Sequence, residues 1–276
     1  MKRVITIFLL ILSAVASAET PQRIITIGGS LTEIVYALNQ QTRLVANDTT
    51  SYYPKHAETL PKVGYQRALS AEGILSLNPD LVILTDEAGP PSVISQLQSA
   101  GVNVLEVGAG RSITDVKESI MIISKALDCE TVGNNLIEKL DKENAHLVEM
   151  TANIQKPRKI MFILQHGGGA PLVAGTETAA DSIIKLSGGQ NVVSQYAGYK
   201  PLTPEAAVMM NPDIILITQQ GLEQMGGKQA LLKSPGLSLT HAAKQQNIIA
   251  MDSLFMLGFG PRAIEAAIAL NKAIQQ

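Results

Sequence analysis

Tyr65 and Arg67 are the two side chains whose types and spacing best suit metal binding. Residues two apart in an extended segment point to the same side of the chain, so the Arg67 guanidinium can lie beside the Tyr65 oxygen. A neighbouring cation favours a phenolate over a phenol, and so does a bound metal. A phenolate is a hard, anionic oxygen donor that suits ferric iron, and tyrosine is a known axial ligand of haem iron. A second interpretation stays open, in which Tyr65 is a packed tyrosine and Arg67 is structural.

His166 differs from the other histidines, because it follows a predicted strand and precedes three glycines. Ligands bind outside the carboxyl ends of the strands in open α/β sheets, so His166 is a candidate ligand-binding residue. A loop histidine with an ordinary hydrogen-bond partner is the alternative. No two histidines have the spacing of a zinc pair; the four are His56, His146, His166 and His241.

Signatures of catalysis are missing from the sequence. It contains no Gly-x-Ser-x-Gly elbow, no phosphate-binding P-loop and no His-Glu-x-x-His zinc motif. The Gly-Gly-Ser triplet at 28–30 stands at a predicted strand-to-helix junction and can offer backbone N–H groups to an anion, although a tight turn is the simpler interpretation. Cys129 is the single cysteine, which excludes an internal disulfide and a cysteine-based metal cluster. The missing motifs disfavour an enzyme.

Composition and charge indicate a folded, exported protein. Of the 276 residues, 46% are hydrophobic and 17% charged, and the net charge of -2 gives no indication of a nucleic-acid partner. Lys2 and Arg3 precede a nine-residue apolar run and the small-residue triplet at 16–18, a pattern typical of a cleaved signal peptide over residues 1–18. The run is too short to span a bilayer, which takes about 20 residues.

An internal repeat divides the rest of the chain into two similar lobes. The triplet Asn-Pro-Asp at 78–80 recurs 133 positions later, at 211–213, each time before an apolar run. Ser70 and Thr203 precede the two matching short helices and are predicted to cap them, and the proline of each triplet ends the helix. A period of this length is too long for a solenoid repeat and indicates duplicated lobes.

Short apolar runs without polar alternation predict parallel strands that are covered on both faces. They lie at residues 24–27, 81–84, 160–164 and 214–217. Helical stretches separate them, and Ser30 with Glu33 forms a predicted capping box at the start of one helix.

The element order predicts an α/β fold of two Rossmann-like lobes with parallel sheets. Residues 112–154 have helical periodicity and almost no Gly or Pro. We assign residues 19–130 to an N-terminal lobe, 131–156 to a long linker helix and 157–276 to a C-terminal lobe. Because a helical linker is stiff, we expect lobe closure to be small.

Three segments resemble the periplasmic haem-binding proteins of bacterial haem ABC importers. They read VGYQRALS at 63–70, QHGGGAP at 165–171 and LGFGPR at 257–262. The wider class is that of helix-linked binding proteins for siderophores and vitamin B12. The resemblance covers essentially the whole mature chain, in order, and the Tyr-x-Arg and Gly-Phe-Gly-Pro-Arg segments are the more specific to the haem branch.

The resemblance implies roles for individual residues. Tyr65 corresponds to the axial ligand of ferric haem, and Arg67 to its hydrogen-bonding partner. His166 matches a position that supplies a second iron ligand in some members of the family. Glu72 and Glu205 match the acidic residues, one in each lobe, that dock onto arginines of the permease; the alternative is that both are capping or solvated glutamates.

Further residues are candidates for the walls of the binding pocket. A macrocycle is large and flat and needs apolar walls, for which the candidates are Tyr52, Tyr53, Tyr199 and Phe259. Its propionates need cations or backbone N–H donors, and Arg262 or Lys200 can supply the cation.

The resemblance implies a monomeric carrier that captures haem in the periplasm and delivers it to the inner-membrane ABC permease of a haem importer. An outer-membrane haem receptor system is a candidate upstream partner. A carrier of a ferric siderophore or a corrinoid is the alternative within the same class. A periplasmic enzyme such as a hydrolase is a further alternative, which the missing nucleophile disfavours.

Overall fold

The computed structural model describes residues 20–165 and 169–276. The predicted signal peptide over 1–18 and the candidate ligand His166 therefore lie outside the described residues. Among the residues described, no helix combines the length and the apolar character that crossing a membrane takes.

The first lobe is built on a parallel sheet. Its strands are β1 (Ile24–Ile27), β2 (Leu44–Asn47), β3 (Gly64–Tyr65), β4 (Ala68–Leu69), β5 (Leu81–Thr85) and β6 (Asn103–Val107). Four of them form the sheet in the order β2-β1-β5-β6, and β3 and β4 form a separate hairpin. Every residue of β1 and β5 is buried, which explains why these two runs show no polar alternation.

Helices cover this sheet. They are α1 (Gly29–Ala37), α2 (Lys55–Glu58), α3 (Ala71–Leu75), α4 (Pro91–Ser99) and α5 (Ile113–Ala126), with a 3-10 turn at Gln41–Arg43. The predicted capping box at Ser30 is wrong, because α1 begins at Gly29, so that Ser30 lies inside the helix, and the N-cap Gly28 has no side-chain cap. Glu33 instead binds Arg262. A capping box does occur at α5, where Ser112 and Asp115 bond reciprocally to each other's backbone N–H.

A long helix, α6 (Glu130–Thr151), leads from the first lobe to the second. Its 22 residues span about 33 Å and pack against α5. The predicted long linker helix is present; it begins one residue before the expected bound of 131 and ends five residues before that of 156. The division at 130 and 156 stays a prediction.

The second lobe contains a mixed sheet. Its strands are β7 (Lys159–Leu164), β8 (Leu172–Ala174), β9 (Gln190–Asn191), β10 (Tyr199–Pro201), β11 (Ile214–Thr218) and β12 (Ile248–Met251). The main path is β10-β8-β7-β11-β12, with β9 paired to β7. Strands β7 and β11 are parallel as predicted, and β12, which was not predicted, pairs with β11 in parallel. Strands β8 and β10 are antiparallel additions at one edge.

The helices of the second lobe are α7 (Ala179–Leu186), α8 (Pro204–Met210), α9 (Gln219–Gln224), α10 (Lys228–Lys233), α11 (His241–Lys244), α12 (Ser253–Leu257) and α13 (Ala263–Gln275), with a 3-10 turn at Leu237–Leu239. Helix α13 packs against both α6 and α7. One cluster of buried side chains contains Leu31 and Val35 from α1 together with Phe162 from β7 and Met256 from α12. The two lobes therefore share a continuous apolar core.

Candidate functional site

A tight hairpin carries the candidate metal ligand. Tyr65 ends β3 and pairs with Ala68 of β4, so Gln66 and Arg67 form the two-residue turn between them. Arg67 Nη1 donates a hydrogen bond to Tyr65 Oη at 3.2 Å, and the Tyr65 side chain is 36% exposed. The predicted adjacency is present, but a turn produces it and not an extended segment. The role of Tyr65 as an iron ligand stays a prediction.

Glu87 and Arg111 extend this pair into a charged cluster that the sequence reasoning missed. Glu87 follows β5 and binds Arg67 through one carboxylate oxygen, while its other oxygen accepts from Arg111 Nη2 at 3.0 Å. Partial burial disfavours the charged form of Arg67, but Tyr65 and Glu87 outweigh it and raise the pKa of Arg67. Glu87 and Arg111 follow the carboxyl ends of the neighbouring parallel strands β5 and β6. Ligands bind at such ends, so this position in the sequence could have indicated both residues.

Tyr199, from the second lobe, lies near this charged cluster. It begins β10, and its side chain is 37% exposed. Burial of the hydroxyl raises the pKa of Tyr199, and the charges of Arg111, Glu87 and Arg67 all act on that hydroxyl. We call the surface formed by Tyr65, Arg67, Glu87, Arg111 and Tyr199 the cleft surface, since it joins residues of both lobes.

Tyr52 connects the two lobes by hydrogen bonds. Its hydroxyl donates to the Asp252 carboxylate at 3.1 Å and accepts the Leu254 N–H at 2.8 Å. Asp252 also caps α12 through the Phe255 N–H. Burial, chiefly, raises the pKa of Tyr52. The Tyr52 hydroxyl is thus engaged in an interlobe hydrogen-bond network, and the role of the Tyr52 ring as a pocket wall stays a prediction.

Arg262 is likewise engaged within the protein. It donates to both oxygens of Glu33, at 2.6 and 2.7 Å, and its guanidinium lies 3.5 Å from the centre of the Tyr53 ring. Glu33 is 5% exposed, and burial raises the pKa of Glu33 although Arg262 opposes the shift. The charge of Arg262 is therefore already matched within the protein, and its predicted contact with a propionate stays a prediction. Tyr53 is 42% exposed, with one ring face covered by Arg262.

Two more pocket candidates have different outcomes. Phe259 is only 3% exposed and belongs to the shared core, so its role as a pocket wall has no exposed surface to support it and stays a prediction. Lys200 lies on the exposed strand β10, with its ammonium 4.4 Å from the centre of the Tyr196 ring. Lys200 remains a candidate cation at the cleft.

The loop after β1 does not hold an external anion. Asp48 accepts the N–H of Gly28, and Thr50 accepts that of Gly29, so the chain's own side chains occupy the start of α1. A Cβ on Gly29 would lie 2.6 Å from the backbone carbonyl oxygen of Thr50, which requires glycine there, and 2.6 Å from the Leu254 side chain of the second lobe. The tight-turn interpretation is confirmed, and the turn serves the packing between lobes.

Glu72 and Glu205 occupy equivalent places in the two lobes. Each lies in the first turn of its helix, and both are exposed. The caps are the hydroxyls of Ser70 and Thr203, which accept N–H groups at 3.4 and 3.2 Å, as predicted. Since hydroxyls perform the capping, neither glutamate is needed for it, and both carboxylates face solvent.

The described residues of the cleft surface do not form a binding site for a bare metal ion. Among the described residues, no group of three or more His, Cys, Asp or Glu could hold a metal ion. A single tyrosine oxygen at Tyr65 cannot satisfy the coordination of a bare iron. The arrangement suits a metal whose other positions are already filled by a macrocycle.

Comparisons with known proteins agree with this geometry. Residues 24–254 match the model of the family described as periplasmic binding protein. The periplasmic haem-binding protein RhuT from Roseiflexus sp. RS-1 is 38% identical, with a TM-score of 0.89 over 92% of this chain and 97% of that one. The haem-binding protein BhuT, solved with two haems, is 41% identical, with a TM-score of 0.87 over 91% and 97%. The vitamin B12-binding protein of Vibrio vulnificus is 23% identical over 96% of this chain and 94% of its own.

Proposed function

Since this chain belongs to the periplasmic binding protein family, we propose that it binds ferric haem in the cleft between its lobes and delivers it to an inner-membrane ABC importer. The observation that carries the proposal is the partly exposed Tyr65 oxygen, held at 3.2 Å by Arg67 on the cleft surface. Family membership confirms the expectation that the protein is not an enzyme.

Tyr65 supplies the iron with an axial oxygen ligand. The porphyrin nitrogens fill the equatorial positions, so one protein oxygen is enough to hold the metal. Arg67 donates to one side of that oxygen and balances the negative charge it carries on ferric iron. His166 is the candidate for a second ligand from the other lobe.

Apolar contact with the macrocycle comes from the exposed ring faces at the cleft. Tyr53 and Tyr199 keep 42% and 37% of their surface accessible, and they belong to different lobes. A flat ligand between the lobes can pack against both rings. Lys200, on the same strand as Tyr199, is a candidate partner for a propionate.

Delivery uses the two exposed glutamates. Glu72 and Glu205 lie at repeat-related positions, so they present one carboxylate from each lobe to a permease with matching arginines. The protein acts as a monomer in the periplasm after removal of residues 1–18, and an outer-membrane haem receptor system supplies the haem.

Titration with hemin, followed by absorption, tests the proposal. Tyr65→Phe removes only the oxygen, so the ferric haem spectrum should change and the affinity should fall at least about tenfold. Tyr36→Phe is the matched control, because Tyr36 lies on α1 and its hydroxyl forms a hydrogen bond with His56, at 2.9 Å. An unchanged ferric spectrum in Tyr65→Phe would remove Tyr65 from the ligand role.

A corrinoid or ferric siderophore carrier is the second candidate, and the similarity to a vitamin B12-binding protein favours keeping it. A siderophore fills the iron's coordination sphere itself, which would leave the Tyr65–Arg67 pair without a metal to bind. Parallel titrations with hemin, cyanocobalamin and a ferric siderophore separate these ligands. Tight, saturable binding of hemin alone is the expected result.

A further inference from the structure

Arg111 stands on a rigid base at the edge of the cleft. Its own N–H donates to the Asp115 carboxylate at 2.9 Å, and the Ala109 N–H donates to Asp86 at 2.9 Å. Gly110, between them, lies so close to the Phe259 carbonyl that a Cβ would come within 3.2 Å of it. The backbone that carries the Arg111 side chain is therefore fixed before any ligand arrives.

The charge around Arg111 is unbalanced. Glu87 is shared by Arg67 and Arg111, so two guanidinium groups face one carboxylate. Arg67 also donates to Tyr65, whereas the Arg111 side chain has one bond to Glu87 and is 51% exposed. A guanidinium has five N–H donors in a planar fork, so Arg111 keeps donors for a second carboxylate.

The other cations near the cleft are less suited to this task. Arg262 donates from Nε and Nη2 to both oxygens of one buried carboxylate, which balances its charge, and its side chain is only 19% exposed. Lys200 lies over the Tyr196 ring and offers a point charge without the fork geometry. Arg111 combines an exposed side chain, a fixed backbone and a charge that is not fully balanced. The comparison covers the cations named above, all within the described residues 20–165 and 169–276.

We propose that Arg111 binds a carboxylate of the ligand, which for haem is a propionate. The inference rests on the proposed function. Tyr65 contacts Arg67, Arg67 contacts Glu87, and Glu87 contacts Arg111. Glu87 therefore lies between Arg111 and Arg67, the partner of the iron ligand. Propionates likewise hang from the rim of the macrocycle, away from the iron. Glu87 holds the guanidinium in orientation until the ligand's carboxylate joins it.

Hemin and its dimethyl ester, in one mixed aqueous-organic buffer, provide the test. The ester keeps the iron and the macrocycle but has lost both carboxylates. Arg111→Gln should weaken hemin binding about tenfold to a hundredfold and change binding of the ester less than about twofold. Lys125→Gln is the charge-matched control, since Lys125 lies near the far end of α5, about 20 Å along the helix from Arg111.

The outcomes separate this inference from the proposed function. If the unmodified protein binds hemin but Arg111→Gln binds hemin and ester with equally reduced or equally unchanged affinity, the role of Arg111 is overturned and haem binding stands. If the unmodified protein binds neither ligand, the proposed function itself fails. Arg111→Lys, which keeps the charge without the fork, should recover only part of the hemin affinity. Thermal unfolding of each variant shows that the fold is retained.

Discussion

Replacing Arg262 by methionine leaves the Glu33 carboxylate buried without its counter-charge. Glu33 is 5% exposed and accepts both of its short bonds from this one side chain. Removing one partner of a buried ion pair costs about 3–5 kcal/mol, because the remaining charge is left desolvated. For a protein of this size that corresponds to a fall in Tm of about 6–20 °C.

Acidity should reverse part of this loss. Burial raises the pKa of Glu33, and the hydrogen bond and charge of Arg262 oppose that shift. Without Arg262, the pKa of Glu33 should rise further. A carboxyl whose pKa is higher in the folded than in the unfolded protein destabilises the fold most above the folded value. The deficit of Arg262→Met should therefore shrink as the pH falls through that raised value towards the ordinary one.

Urea and thermal unfolding, followed by circular dichroism, measure both effects. The control is the double variant Arg262→Met with Glu33→Leu, which removes both charges and should be more stable than Arg262→Met alone. A cost below about 1 kcal/mol for the single variant, or a double variant no more stable than the single one, would refute the reasoning.

Three further expectations follow from features of the fold. Ser112→Ala should lower the free energy of unfolding by about 1 kcal/mol, measured by thermal unfolding. The hydrogen bond from the Arg111 N–H is the main cause that lowers the pKa of Asp115, so the stability that Asp115 contributes should disappear as the pH falls through that lowered value. Replacing Glu72 and Glu205 together by arginine should leave hemin affinity unchanged but stop haem uptake through the importer in reconstituted vesicles, unlike Glu118→Arg; normal uptake would contradict docking. Structures with and without hemin should differ by a small lobe rotation, and a large hinge motion would contradict a stiff α6.

The strands that carry the site could be predicted because they are buried on both faces. β1, β5, β7 and β11 are mainly apolar and almost entirely buried, which makes them recognisable as runs of Ile, Leu, Val, Met and Phe. The antiparallel strand β10 escaped prediction, because its three residues are all exposed and contain a proline. Its place in the sheet depends on β8 and not on its own pattern.

Contacts between residues that are far apart in the sequence are the part of the site that could not be predicted. Tyr65 and Arg67 are two residues apart, so local geometry was enough to bring them together. Glu33 and Arg262 are 229 residues apart, and no local pattern reveals their pairing. Instead, Ser30 and Glu33 imitated a capping box, whereas the tertiary partner takes the carboxylate.

The core that runs through both lobes has a consequence for how the protein holds together. Val35 and Phe162 belong to different halves of the repeat, yet they lie in one apolar cluster. Cutting the chain within α6 would give each fragment a water-exposed apolar face that only the other fragment covers. Although the halves look like duplicates, neither should be a stable protein by itself, and the whole should unfold in a single cooperative step.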